Sequence, residues 1–278
     1  MNIRAFNEKD LANCLDVEYS AIKGDNHYLN DVLDYFSTTK GEFSVVEIDE
    51  QVVGMGKFTV LFDGSAWLEL LRVHQDYQRK GCGMAIYQRY NEQFEQFNCS
   101  AMRMYTGEKN VASAALAKKN GFELEAQFHA MSLDMNNADA SLFWEPPVFR
   151  CLNGDEAVRE IMSISGECGG FLSVNNTYYE INEKTCRGFA AMGWVYGDGK
   201  GNVLVAGSRF QPNKALYIAA MGGDKRKALS YALNLAVLKG QNKISAYFPS
   251  GDEKKLEFLQ KHGFVRHSSD TVIYKKSK

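Results

Sequence analysis

The segment Gln78-Arg79-Lys80-Gly81-Cys82-Gly83 constrains the fold more than any other part of the chain. It lies between an apolar run with strand character, Trp67 to Val73, and a run with helical character, Met84 to Phe97. Basic residues beside glycines at a strand-to-helix turn suit a pyrophosphate. Gly81 and Gly83 allow the backbone to approach closely and to adopt dihedrals unfavourable for other residues. The first N–H groups of the helix have no intrahelical partners and point outward, with the positive end of the dipole behind them. Arg79 and Lys80 add charged donors at the same place. A phosphorylated cofactor is the expectation.

The 278 residues, 45% hydrophobic and 24% charged, suffice for one large globular domain or two of ordinary size. A net charge of −2 argues against a dedicated nucleic-acid or membrane-surface protein. No window approaches the roughly 20 apolar residues of a membrane helix, and the start of the chain lacks the apolar core of a signal peptide. Six cysteines are scattered without a C-x-x-C pair, which reads as reduced thiols in a cytoplasmic setting. The histidines show no metal-ligand spacing, so no metal is expected.

Along the chain, strand and helix patterns alternate. Ile3–Phe6 reads as a strand, Lys9–Ile22 and 30–37 as helices, Glu42–Ile48 and Val52–Phe62 as strands around the turn Asp49-Glu50-Gln51. After the glycine turn come a strand at Ala101–Tyr105, a helix at about Val111–Asn120 stopped by Gly121, and a strand at Phe128–Met135. Asn-rich and Pro-Pro residues place a linker at 137–147, between domains at 1–136 and 148–278. The second half repeats the order. Gly188–Tyr196 and Asn202–Phe210 read as strands around the hairpin turn Gly197–Gly201. Ala215–Met221 is a strand, Lys227–Lys239 a helix, Ile244–Phe248 a strand and Glu253–His262 a helix ending in Gly263-Phe264, as the first half ends in Gly121-Phe122. A closing strand follows at Asp270–Tyr274. In place of the basic glycine turn stands Gly222-Gly223-Asp224-Lys225-Arg226, where Asp224 would set an anion beside a phosphate; cofactor binding is expected to be lost there.

Gln78-Arg79-Lys80-Gly81-Cys82-Gly83 fits the form Gln/Arg-x-x-Gly-x-Gly/Ala, and Asn110-x-x-Ser113-x-x-Leu116 with Gly121-Phe122 fits Asn-x-x-Ala-x-x-Leu-Tyr-x-x-x-Gly-Phe. On these two motifs the chain resembles the GNAT superfamily of acyl-CoA-dependent N-acyltransferases. The layout is similar to tandem members of the mycothiol synthase type, in which one half is degenerate. The resemblance implies an α/β (α+β) fold of two tandem domains, each a mixed twisted sheet flanked by helices. It implies acetyl-CoA held by the N–H groups from Gln78 through Arg79, Lys80, Gly81, Cys82 and Gly83 to Met84. The strands Trp67–Val73 and Ala101–Tyr105 would splay, so that the pantetheine arm pairs with the backbone of Leu71, Arg72 and Val73. Asn110 and Ser113 would lie near the thioester.

An amine must lose a proton to attack a thioester. Glu69 is the candidate base: period-two alternation puts it on the face of Leu71 and Val73, and partial desolvation between Leu68 and Leu70 suits it to accept a proton near neutral pH. The alternative is an edge carboxylate facing solvent or pairing with Arg72. The family's frequent general-acid tyrosine falls at Ala117, so another group, with Tyr105 a candidate, or solvent protonates the thiolate. Cys82 at a helix N-terminus would be an activated thiol if exposed. In this fold the first helices and their loop line the acceptor site, here Tyr19, Asp25, Asn26, His27 and Tyr28; a polar surface loop with an N-cap at Asn30 is the plainer reading.

The leading expectation is N-acetyl transfer to a primary amine of a small molecule, with no nucleic-acid or membrane partner. Alternatives are a non-catalytic acyl-CoA sensor, a peptide or protein N-acetyltransferase needing an open groove, and an acyl-CoA decarboxylase.

Overall fold

The structure, a computed structural model, describes residues 1–24, 27–143 and 148–278. In chain order the first elements are β1 (Asn2–Ala5), α1 (Leu11–Ala21), α2 (Leu29–Thr38), β2 (Gly41–Ile48), β3 (Gln51–Val60) and β4 (Ala66–Val73). They are followed by α3 (Cys82–Phe97), β5 (Ala101–Gly107), α4 (Val111–Lys119) and β6 (Glu123–Asp134). Next come β7 (Arg150–Cys151), α5 (Gly154–Ser163), β8 (Phe171–Val174), β9 (Thr177–Glu180), α6 (Glu183–Ala191), β10 (Val195–Gly197) and β11 (Val203–Gly207). The last are β12 (Ala215–Gly222), α7 (Lys225–Leu238), β13 (Lys243–Pro249), α8 (Glu253–Lys261), β14 (Val265–Arg266) and β15 (Thr271–Ser277).

The chain packs as two compact units that interleave in sequence. One comprises Met1–Thr106, Asn110–Glu125 and Ile273–Lys278; the other comprises Gly107–Lys109 and Ala126–Val272. This division in space does not coincide with a single cut at 137–147. Residues 144–147, with Trp144 and the two prolines, lie outside the described residues.

In the first unit the strand order is β1-β2-β3-β4-β5, with β15 beside β5. The meander β1 to β4 is antiparallel, whereas β4 and β5 run parallel because α3 carries the chain back across the sheet. α3 buries Ile86, Tyr87, Tyr90 and Phe94, and Phe58 of β3 meets Tyr90 and Phe97 on that face. The opposite face is covered by α1 and α2: Lys57 is buried there and donates to the carbonyl of Phe36 at 2.7 Å. Sheet periodicity thus sends Phe58 to one layer and Lys57 to the other.

In the second unit β6-β13-β12-β11-β10-β7 form the sheet, with β14 against β6 and β8-β9 as a separate hairpin. β12 and β13 are its parallel pair. The duplication extends to the caps. Asn110 accepts from the N–H of Ser113 at the start of α4, and Asp252 from that of Lys255 at the start of α8. Gly121 (φ 82°) and Gly263 (φ 90°) end those helices in the left-handed region, and the next residue, Phe122 or Phe264, donates back to Ala117 or Leu259.

Two expectations are corrected here. Residues 188–191 belong to α6, so the strand before the glycine turn is only Val195–Gly197. The turn itself is a hairpin, closed by the Asp198 carboxylate accepting from Lys200 and Asn202. And α2 is not capped by Asn30. The carboxylate of Glu18, buried on α1, accepts from the N–H groups of Tyr28 (3.3 Å) and Leu29 (3.1 Å).

Candidate active site in the first unit

The parallel pairing of β4 with β5 covers Ala66↔Met102, Trp67↔Arg103 and Leu68↔Met104 and then stops. The cause lies two residues further on. Leu70 has φ 60°, in the left-handed region, and the β3–β4 register shifts between Met55 and Lys57. Residues 69 to 72 of β4 therefore oppose only 55 to 57 of β3, a β-bulge with one extra residue on β4. Bulges bend the strand that carries them, and β4 leaves β5 at this point.

The bulge corrects the face assigned to Glu69 by simple alternation. Glu69 pairs with Lys57 and Arg72 with Met55, two positions apart on β3 and so on one face. Glu69 therefore shares its face with Arg72 and not with Leu71. It is the face of α1 and α2. The hydroxyl of Thr59, two positions along β3 from Lys57, donates to Glu69 Oε1 at 2.9 Å and orients the carboxylate. On the α3 side, Tyr90 passes its hydroxyl through the space left by Gly56 to the backbone carbonyl of Glu69 at 3.3 Å.

Tyr105, on β5 beyond the last paired residue, stacks on Trp67 with ring centroids 6.1 Å apart. Burial pushes its phenol up from the ordinary value; Arg72 pulls it down and Glu69 adds to the rise. Tyr28 lies in the same neighbourhood: burial raises its phenol strongly, opposed by Arg72 and assisted by Tyr105 and Glu69. The structure thus gathers Glu69, Tyr105 and Tyr28 around Arg72. Tyr19 and His27 lie together, ring centroids 4.3 Å apart, with His27 Nε2 3.1 Å from the carbonyl of Ile22. Asp25 and Asn26 lie outside the described residues.

Beyond the bulge, the ladder alternation turns β4 outward. His74 donates to Val53 of β3, so the peptide groups of Val73 and Leu71 face away from β3. Among the described residues their carbonyls are reached only by side chains: Gln78 Nε2 to Val73 (3.3 Å) and Arg72 Nη1 to Leu71 (3.0 Å). These are carbonyls a bound amide arm can take over.

The glycine turn leads straight into α3. Arg79 (φ 61°) and Gly81 (φ 91°) are both left-handed, and Gly81 is the N-cap, with no side chain capping the helix. Gln78, Arg79, Lys80 and Gly81 are exposed, and Lys80 Nζ sits 4.8 Å from the centre of the Tyr77 ring. A Cβ at Gly81 would touch only the end of the Met1 side chain, at 3.9 Å. Gly83 packs closely, its Cβ position 3.1 Å from Leu116, and Met84 is exposed. These residues fit a pyrophosphate: open N–H groups, positive side chains and no steric obstruction. The corresponding turn of the second unit differs. Asp224 N-caps α7, accepting from the N–H groups of Arg226 (3.0 Å) and Lys227 (3.2 Å), so its own carboxylate takes the donors an external anion would need.

Cys82 is not an exposed thiol. It is 1% exposed, its sulfur approaches the carbonyl of Tyr77, and burial pushes its pKa up, against the lowering expected of a helix N-terminus. Asn110 is committed to capping α4 through Ser113, and Ala117 is fully buried. Sequence reasoning missed Thr59, Tyr90 and Glu18, whose contacts join residues 10 to 21 positions apart along the chain and carry no local signal. Among the described residues no group of three or more His, Cys, Asp or Glu is placed to hold a metal, and no helix is long and apolar enough to cross a membrane.

Comparison with known proteins bears on the fold. Residues 9–122 match the model of the Acetyltransferase (GNAT) family. A GCN5-related N-acetyltransferase from Sphaerobacter thermophilus superposes with a TM-score of 0.68 at 12% identity, covering 99% of this chain and 95% of that one. A tandem GNAT protein from the clavulanic acid biosynthesis pathway gives 0.65 at 13% identity, covering 99% and 98%. A glucosamine N-acetyltransferase region of a fungal multi-domain β-N-acetylglucosaminidase gives 0.67 at 13% identity, covering 99% of this chain and 38% of that one. At such identities the likeness is one of fold. No curated protein sequence matches. With the glycine turn, the bulged β4 and the splay from β5 all inside the matched span, residues 9–122 form a domain of the acetyltransferase (GNAT) family.

Proposed function

We propose that the chain is an acetyl-CoA-dependent N-acetyltransferase acting on a primary amine of a small molecule by direct attack, with its working site in the first unit. The observation that carries this reading is the uncapped, exposed N-terminus of α3 beside the outward carbonyls of Leu71 and Val73. Together they match two adjoining parts of a CoA molecule: a pyrophosphate for the helix terminus and an amide-bearing arm for the strand edge.

Bound acetyl-CoA supplies an acetyl thioester, whose C–S bond gives way to an amide bond. Glu69, held by Thr59, takes the proton that the attacking amine loses, directly or through one water. Tyr105, kept protonated by burial, returns a proton to the departing thiolate. Trp67 fixes the plane of that ring by stacking. The second unit, with α7 capped by Asp224, leaves the coenzyme to the first.

A non-catalytic acyl-CoA sensor is the second reading. It is favoured by the buried Ala117, which offers no hydroxyl where the family's acid often stands. Thiol release from acetyl-CoA, followed against a panel of primary amines and peptides, separates the two. Amine-dependent release supports the transferase, whereas tight coenzyme binding with no thiol released under any condition supports the sensor.

A further inference from the structure

Within the Glu69 cluster, Arg72 has hydrogen-bonding capacity that the described residues leave largely unspent. Its Nη1 donates to the carbonyl of Leu71 at 3.0 Å. Its Nε is closed off from water and has no hydrogen-bond partner among the described residues, and Nη2 makes no hydrogen bond to them. Arg72 forms no ion pair among the described residues either. An unmet guanidinium donor shielded from water costs stability and calls for a partner that the described residues do not provide.

The setting says what kind of partner. The register puts Arg72 and Glu69 on the α1 and α2 face, two β3 positions apart, which is about 6.5–7 Å along the strand. Whether Nη1 keeps the Leu71 carbonyl or yields it to a coenzyme, the Nε–Nη2 edge is open among the described residues, and that edge pairs with a carboxylate through two parallel hydrogen bonds. Glu69 stands ready for an amine on the same face, with its carboxylate oriented by Thr59. An anion site and an amine site this close suit one molecule carrying both groups on a short spacer.

We infer that Arg72 binds the carboxylate of the acceptor, and that the acceptors of this protein are amino acids or close analogues with one to a few carbons between amine and carboxylate. This rests on the proposed transfer reaction for its catalytic consequence but not for the binding itself. Arg72 pulls down the buried phenols of both Tyr28 and Tyr105, so the cation and the two rings share one electrostatic neighbourhood.

Two readouts test it. In the first, kcat/KM with acetyl-CoA is measured for free L-amino acids, their carboxamides and their decarboxylated amines, in the wild type and in Arg72→Gln and Arg72→Lys. The wild type should prefer the free carboxylate at least tenfold. In Arg72→Gln that preference should collapse tenfold or more, chiefly through KM, and Arg72→Lys should keep part of it. In the second, thermal unfolding is followed with saturating CoA and the same three ligand classes, which needs no turnover. Amino acids should raise the unfolding temperature of the wild type more than their amides do, and Arg72→Gln should lose that difference. If no amine releases thiol but carboxylate-dependent protection follows Arg72, the transfer reading fails and this inference stands. Transfer that is indifferent to the carboxylate, or equal losses on all three classes in Arg72→Gln, would overturn the inference and leave transfer intact.

Discussion

Gly56 shows how a single missing side chain sets the geometry of Glu69. A Cβ there would fall 2.2 Å from the Tyr90 hydroxyl and 2.7 Å from Ile86, so any larger residue pushes Tyr90 away from the carbonyl it holds at the bulge. Gly56→Ala should cost about 1–3 kcal/mol of stability, the usual range for overpacking a filled site, measured by chemical denaturation. It should also slow acetyl transfer out of proportion to any change in CoA affinity. Glu69→Gln removes the proposed proton acceptor while keeping the shape of the side chain. A kcat/KM decrease on the order of 10²–10⁴-fold with an amine substrate is expected. Tyr105 carries an opposite sign. Its phenol is raised above the ordinary 10, so it stays a proton donor through neutral and mildly alkaline pH, and the wild-type rate should show no fall from its ionisation below that value. The strands that carry Glu69 and Tyr105 were legible in the sequence from their apolar runs. The company Glu69 keeps was not. Period-two counting assumes an unbroken pleat, and nothing in Leu68-Glu69-Leu70-Leu71 announces that Leu70 turns left-handed and swaps the faces. The role open to Arg72 follows only once that swap is known.

At the scale of elements, the two helix starts make the clearest contrast. α3 opens on a left-handed glycine with no cap, whereas α7 opens on an aspartate that satisfies two of its N–H groups. Gly81→Asp would force a side chain into a φ of 91° and place a negative charge where phosphate would approach. CoA affinity in a calorimetric titration should fall by about a hundredfold or more, roughly 3 kcal/mol, with the fold retained. Unchanged affinity would mean that this turn does not hold the coenzyme. The motif itself was readable because it needs only consecutive residues. The capping of α2 was not, since Glu18 reaches Leu29 from another helix. The strand expected over 188–196 failed for a related reason: its apolar residues, Phe189 and Ala190 among them, face the core from a helix, and a short apolar run does not reveal its own period. The first strand offers an electrostatic test. Asp10 accepts two hydrogen bonds from Arg4, at 2.6 and 3.0 Å, and chiefly for that reason its carboxyl titrates below the ordinary 3.8. A depressed carboxylate stabilises the fold above its unfolded value and loses that contribution as pH falls through the folded one. Arg4→Gln should therefore lower stability at neutral pH, with the difference from wild type shrinking as pH falls below 3.8, in paired urea titrations.

At the scale of the whole molecule, the chain carries the same plan twice: a parallel strand pair, a helix after each strand of the pair, and matching glycine stops at Gly121 and Gly263. The repeat was legible because glycine and the residues around it mark the helix ends in any context. The interleaving was not, because strand order reveals neither that residues from Ile273 onward pack with the first unit nor that those from Ala126 pack with the second. Duplication without identical capping yields one open helix terminus and one closed, which is the basis for assigning the coenzyme to the first unit alone. A crystal structure of the full chain with CoA bound tests that assignment most directly. The pyrophosphate should lie within hydrogen-bond distance of the N–H groups at Gly81 to Met84, with the pantetheine along Leu71 and Val73. Coenzyme bound at the start of α7, or with its phosphates away from the α3 terminus, would contradict it.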